Sequence, residues 1–143
     1  MNRPSPILEA GVIAVAGPML VFSMYLLFAG HNQPGGGFAA GLVAGVTVLL
    51  VWAAGGTDTV RRVLPLRSTL LMGLGLLVAA LTGFAALLSG LSFLESGYIE
   101  FTLPVVGKAK IVSALFFDIG VYLVVVGMAL GLIRALGEEK VPQ

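Results

Sequence analysis

Charged side chains are scarce in this sequence. Asp, Glu, Lys and Arg make up 10% of its 143 residues, whereas a soluble domain of this size carries roughly 25%. No charged residue occurs over residues 10–57 or 68–94. So little charge cannot cover a water-facing surface, and an ordinary soluble globule is excluded. Cysteine is absent, which excludes a disulfide framework and thiolate chemistry. A single histidine without cysteine supplies too few ligands for a zinc-type site. The net charge of +1 leaves no basic footprint for nucleic acid. The P-loop pattern G-x-x-x-x-G-K-[ST] does not occur, so the glycines do not form that phosphate cradle. No cofactor is expected, and no catalytic constellation points to an enzyme.

Apolar residues take the place of charge, at 58% of the chain with a mean hydropathy of +1.05. A bilayer-spanning helix needs about 20 apolar residues at 1.5 Å each. The pattern predicts an all-α integral membrane protein, a single domain of four transmembrane helices over about 8–29, 37–55, 68–88 and 111–136. The first run exceeds the h-region of a cleavable signal, about 7 to 15 residues, and no A-x-A site ends it. Between spans two and three, "GTDTVRRVLPLR" predicts a short charged loop closed by proline. Between spans three and four, "SGLSFLESGYIEFTLPVVGKAKIV" predicts a longer surface loop or short hairpin.

The distribution of basic residues orients the chain. Arg3, Arg61, Arg62, Arg67, Arg134 and Lys140 share one side, against Lys108 and Lys110 on the other. Both termini are expected in the cytoplasm, with the turn "GHNQPGGG" and the long third loop outside.

Small residues recur at helix-packing intervals. Gly37, Gly41 and Gly45 form one row, Gly75, Ala79 and Gly83 a second, and Gly127 and Gly131 a third. Such rows let helix backbones approach closely where lipid supplies no hydrophobic drive. They either pack this chain's own helices or face another protein.

The turn itself holds the most polar residues of the first half. Pro34 cannot donate to a helix and Gly35, Gly36 and Gly37 tolerate positive φ, which suits a tight reversal. His31, Asn32 and Gln33 can bond the loose groups of helix ends. A plain turn does not require this full set with Phe38 behind it. A docking surface, or an element beside an ion path, stands as the alternative.

Asp118 lies about a turn and a half inside span four, where an acid costs about 2.5 to 3.5 kcal/mol on an insertion scale. Tyr122 is one turn on and its hydroxyl is a candidate neighbour. Asp118 either meets water or a helix end near the interface, or serves a proton, a sodium ion or a basic residue of another subunit. On the cytoplasmic side of it, the spans hold no Asp, Glu, Lys, Arg or His until Glu9 and Arg134, and Thr47 and Thr82 are read as the only mid-membrane hydroxyls. Ion pathways through membranes usually need carboxylates, histidines or lysines. The chain supplies at best half a pathway, so a place in a larger assembly is expected.

"GHNQPGGGFAAGL" and "FFDIGVYLVVVGMAL" together resemble the B subunit of Mrp-type multisubunit Na+/H+ antiporters, the MnhB family. The first motif matches at Gly30, His31, Asn32, Pro34, Gly35, Gly36, Gly37, Phe38 and Gly41, the second at Phe117, Asp118, Gly120, Val121 and Tyr122. The resemblance implies an accessory component, multi-pass in the cell membrane. Its partners would be A, C, D, E, F and G type subunits besides the lipid bilayer. The whole set would exchange cytoplasmic Na+ for external H+ using the proton-motive force. His31, Asn32, Pro34, Gly35, Gly36, Gly37, Phe38, Asp118 and Tyr122 become candidates for an ion path or a subunit interface. An equivalent subunit of a hydrogenase or other redox-driven complex, or a self-sufficient homo-oligomeric transporter, are the competing expectations.

Overall fold

The computed structural model describes residues 5–29, 36–88 and 104–138, and these are helical apart from short connections. The four helices are α1 (Pro6–Ala29), α2 (Gly37–Val63), α3 (Ser68–Leu88) and α4 (Pro104–Glu138). Each contains a stretch long and apolar enough to cross a membrane: Pro6–Ala29, Gly37–Val63, Ser68–Ala85 and Ala114–Gly137.

The helices stand in a row rather than a closed bundle. α1 packs on α2, α2 on α4, and α4 on α3; α1 brushes α4, and among the described residues α3 meets neither α1 nor α2. Glycine contacts fix the register. Gly37, Gly41 and Gly45 of α2 lie against Asp118, Val125 and Ala129 of α4, so these two helices run parallel. Gly75 of α3 lies against Gly120 and Val124, and Gly127 of α4 against Ser68 and Met72, so α3 runs antiparallel to α4. Residues two apart on a helix point about 200° apart at 3.6 residues per turn. Hence Asp118 and Gly120 start seams on opposite sides of α4, and α4 becomes the central post of the row.

The glycine rows therefore pack the chain's own helices along both seams. A Cβ on Gly120 would stand 2.7 Å from the Gly75 carbonyl oxygen and 2.8 Å from the Ala79 nitrogen, whereas one on Gly73 would meet nothing within 4 Å. Around the seams, Ala44, Val60, Leu71, Val126, Leu130 and Ile133 form the buried cluster.

Two connections depart from the sequence expectation. The charged segment after span two is helical, not a loop. Gly56 adopts φ 74° and ψ −178° inside α2 and breaks it into two helical pieces. The second piece, residues 57–63, folds back so that Val60 is 4% exposed within the core. Val60 with Val63 and Leu64 gives this piece an apolar face, and Asp58, Arg61 and Arg62 remain for the other, an ordinary amphipathic spacing. The turn is tied by Trp52 Nε1 donating to Thr57 Oγ1 at 3.2 Å and by Thr59 Oγ1 donating to the Gly55 carbonyl at 2.7 Å.

Likewise α4 begins at Pro104, within the stretch expected as loop or hairpin. Proline suits a first helical position because no N–H is needed there and its φ is already helical. The remainder of that stretch, residues 89–103, lies outside the described residues. At 35 residues, α4 measures about 50 Å, more than the roughly 30 Å hydrocarbon layer.

The asymmetry between Gly120 and Gly73 is testable. Gly120→Ala should lower stability by about 1–3 kcal/mol through overpacking, and Gly73→Ala should be neutral or stabilising through helix propensity. Thermal unfolding of the two variants in the same detergent measures the difference.

Candidate functional site

The α1–α2 reversal brings α2 onto α4 at Asp118. The Gly36 N–H donates to the Leu26 carbonyl at 3.2 Å, which closes the end of α1 onto the start of α2. Gly36 has φ 110°, a conformation open to glycine at little steric cost. A Cβ on Gly37 would collide with the Asp118 backbone, standing 2.8 Å from its Cα. These two glycines therefore have separate reasons to be glycine: one for its backbone angle, the other for close approach.

The Asp118 carboxylate faces this helix start. Both of its oxygens would lie 4.0 Å from a Cβ on Gly36. No side chain caps α2, and the first intrahelical bond is from the Ala40 N–H to the Gly36 carbonyl at 3.0 Å. The N–H groups of Gly37, Phe38 and Ala39 thus have no intrahelical acceptor, and they carry the positive end of the helix dipole. An acid across from that end is favourably placed. Asp118 is half-buried, and it lies within the apolar, membrane-length part of α4.

Tyr122 turns elsewhere. Its hydroxyl lies 3.2 Å from Ser23 Oγ on α1, rather than bonding Asp118 as the one-turn spacing suggested. Ser23 is fully buried and bonds the Ala40 carbonyl of α2 at 2.8 Å. Serine has one proton; with it given to Ala40, Tyr122 donates into Ser23 Oγ. Three helices meet in this one small network. Ser23 corrects the expectation that Thr47 and Thr82 are the only hydroxyls deep in the spans. Its signal in the sequence was a lone serine in an apolar run, which carries no periodicity to betray a partner. The two threonines are occupied locally: Thr47 Oγ1 donates to the Val43 carbonyl at 2.8 Å and Thr82 Oγ1 to the Val78 carbonyl at 2.7 Å.

The structure thus brings Gly36, Gly37, Asp118, Tyr122 and Ser23 together. Phe38 is set apart, 61% exposed on the outer surface of the row. His31, Asn32, Pro34 and Gly35 lie outside the described residues. No group of three or more His, Cys, Asp or Glu residues is placed to hold a metal ion among the described residues.

Four apolar helices of spanning length, with one acid set inside a glycine-lined seam, define a multi-pass helical membrane protein. Residues 7–131 match the family model described as a domain related to the MnhB subunit of Na+/H+ antiporter. The chain is 42% identical to the Na(+)/H(+) antiporter B subunit of Bacillus subtilis (strain 168), over 94% of each chain. It is 40% identical to the Na(+)/H(+) antiporter B subunit of Alkalihalophilus pseudofirmus, over 85% of this chain and 84% of the relative. A third relative, the probable K(+)/H(+) antiporter A/B subunit of Rhizobium meliloti, is 38% identical over 85% of this chain but 12% of its own length. The chain belongs to the MnhB family.

The hydroxyl network is testable by a double-mutant cycle. Ser23→Ala and Tyr122→Phe should each destabilise the chain, Ser23→Ala by about 0.5–1.5 kcal/mol. Their combined effect should fall short of the sum by roughly 0.6 kcal/mol, the size of an interhelical hydrogen bond in a bilayer. Reversible unfolding in mixed micelles reads the coupling, and strict additivity would remove the Ser23–Tyr122 bond.

Proposed function

We propose that this chain is the B-type accessory component of a multisubunit cation/proton antiporter in the cell membrane, where it contributes to assembly and to part of the ion path. The observation that carries the reading is the isolation of Asp118. It is the one acidic or basic residue of the four apolar spans away from their ends, and it stands beside the α2 start. A chain with one such acid needs other subunits to complete a route.

The partners in this reading are the A, C, D, E, F and G type subunits. The Rhizobium meliloti relative carries both letters, A/B, in its name, which supports an A-type component as an immediate neighbour. All three relatives are named for antiporters, which favours antiport over a hydrogenase-type complex. Sodium is the ion in two of those names and potassium in the third, so both ions belong in the assay. His31, Asn32, Pro34, Gly35, Gly36, Gly37, Phe38, Asp118 and Tyr122 remain the candidates for the path or a subunit interface. Both termini lie in the cytoplasm in this reading, on the side rich in arginine.

Antiport in everted vesicles carrying the full set of subunits tests the role of Asp118. Asp118→Asn should cut cation-driven proton exchange at least tenfold while copurification of the subunits is retained, an effect of roughly 1.4 kcal/mol or more. Pro34→Gly should also lower exchange more than it lowers insertion. Unchanged exchange by Asp118→Asn, with sodium and with potassium, would remove that residue from the path.

The absence of cysteine makes orientation directly measurable. A cysteine placed at Gln143 should react with a membrane-impermeant maleimide in everted vesicles and not in intact cells. One placed at Ser96 should do the reverse.

A further inference from the structure

A second polar feature lies at the opposite end of the row from Asp118. Arg61, Pro65, Arg67 and Arg134 line an open cleft of about 390 Å³ between the fold-back after Gly56 and the end of α4. Arg134 is anchored there: its Nη2 donates to the Leu66 carbonyl at 2.7 Å. A guanidinium has five N–H donors in a planar fork, so most of that fork is left for something else. Arg61 and Arg67 are exposed. Asp58 sits three residues before Arg61 but forms no ion pair with it.

Three like charges around one cleft repel one another unless an anion joins them. Depth identifies the anion. Arg67 immediately precedes the apolar stretch Ser68–Ala85 of α3, and Arg134 reaches the Leu66 carbonyl beside it. The cleft is therefore level with the lipid headgroups, where arginine reaches outward from apolar surroundings. The same fold-back also lines an apolar crevice of about 90 Å³, with Leu20, Val51, Val63 and Leu64 among its walls. Leu64 of the crevice and Pro65 of the cleft are consecutive, so the chain passes from an oily lining to a charged one within one residue. Free phosphate has no use for an apolar slot, whereas a lipid carries both a phosphate and apolar chains.

We propose that this cleft binds the phosphate of an anionic phospholipid, with the acyl chain lying along the neighbouring crevice. Arginine suits the task because its fork pairs with phosphate oxygens two at a time. Basic pockets between transmembrane helices take anionic lipid headgroups in this manner. The proposal is independent of the transport role and of which side faces the cytoplasm.

Trp52 is the chain's single tryptophan and is bonded to Thr57 at the start of the fold-back, so it reports on lipid nearby. The full-length chain is placed in phosphatidylcholine vesicles, and its fluorescence is quenched with dibrominated phosphatidylglycerol or dibrominated phosphatidylcholine. The expected result is tighter association of phosphatidylglycerol. Arg61→Gln and Arg67→Gln should each reduce that preference roughly fivefold, the equivalent of about 1 kcal/mol per basic residue at an anionic surface. Arg62→Gln, outside the cleft, should reduce it less than either, and Arg134→Lys, which keeps the charge, should retain part of it. Far-UV circular dichroism of each variant separates lost binding from lost folding.

Equal quenching by the two lipids would overturn the proposal. So would abolition of the preference by millimolar inorganic phosphate, which would make the cleft a free-phosphate site. A photoreactive residue at position 67 in the assembled complex should capture lipid. Capture of a neighbouring polypeptide in its place would assign the arginines to a protein contact and end the proposal.

Discussion

The fold depends on how closely two neighbours can approach the backbone of α4. In water, apolar side chains are driven together whatever their shape; between helices in lipid that drive is missing, and contact distance decides. Here the contact is built on missing side chains. Gly37 and Gly41 admit α4 on one side, and Gly75, Gly120 and Gly127 bring α3 against the other. Gly37 needs this most, since a Cβ there would run into the Asp118 backbone. Gly11 and Gly17 on α1 face open space and have no such duty. The difference explains why a count of glycines says little until each one's neighbour is known.

This constraint also accounts for the single-file arrangement. A helix with close-approach seams on opposite sides becomes the middle of a row, and α1 is left with α2 as its main support. Its outer residues Ile13, Val21, Phe22, Tyr25 and Phe28 are exposed. Such a row has two broad apolar faces and no interior shared by all four helices. Polar links are correspondingly few and local. The Ser23 network ties α1, α2 and α4 at one level, and the tie between Arg134 and the Leu66 carbonyl fastens the other end.

Much of this was legible in the sequence because hydrocarbon imposes simple demands. Each helix must be apolar over its whole thickness, so the four runs announced themselves, and α3 begins and ends where its run does. The glycine intervals identified the faces that pack, though their partners needed three dimensions. Less legible was the segment after Gly56. Its arginines and Asp58 resemble a loop, and the apolar trio Val60, Val63 and Leu64 is too short a pattern to signal a helix folded back into the core. Only the positive φ of Gly56 makes that reversal work, and glycine alone does not reveal which angle it adopts. Ser23 was hidden for the opposite reason. One hydroxyl among apolar neighbours has no pattern, and its importance arises from two residues, Ala40 and Tyr122, far along the chain.

The same geometry bears on what the acid in the seam can do by itself. Thr47 and Thr82 donate to carbonyls four residues back in their own helices, and Ser23 and Tyr122 bond within their network. Hydroxyls so engaged must break a bond before they can relay a proton. Asp118 has the uncapped N–H groups of α2 on one side and, toward the far end, a long stretch of α4 whose seams are closed by helix contact on both flanks. A water in such a seam would need about 10–15 Å³ of probe-occupied space and two to four polar partners, and the contacts at Gly41, Gly45, Gly75, Gly120 and Gly127 are made by apolar side chains and backbone, save the Ser68 carbonyl beside Gly127. A route past Asp118 would therefore run across a broad face of the row, against surfaces that another polypeptide supplies. The close packing that holds the four helices together thus also sets the surroundings of Asp118, with the α2 start on one flank and α3 on the other.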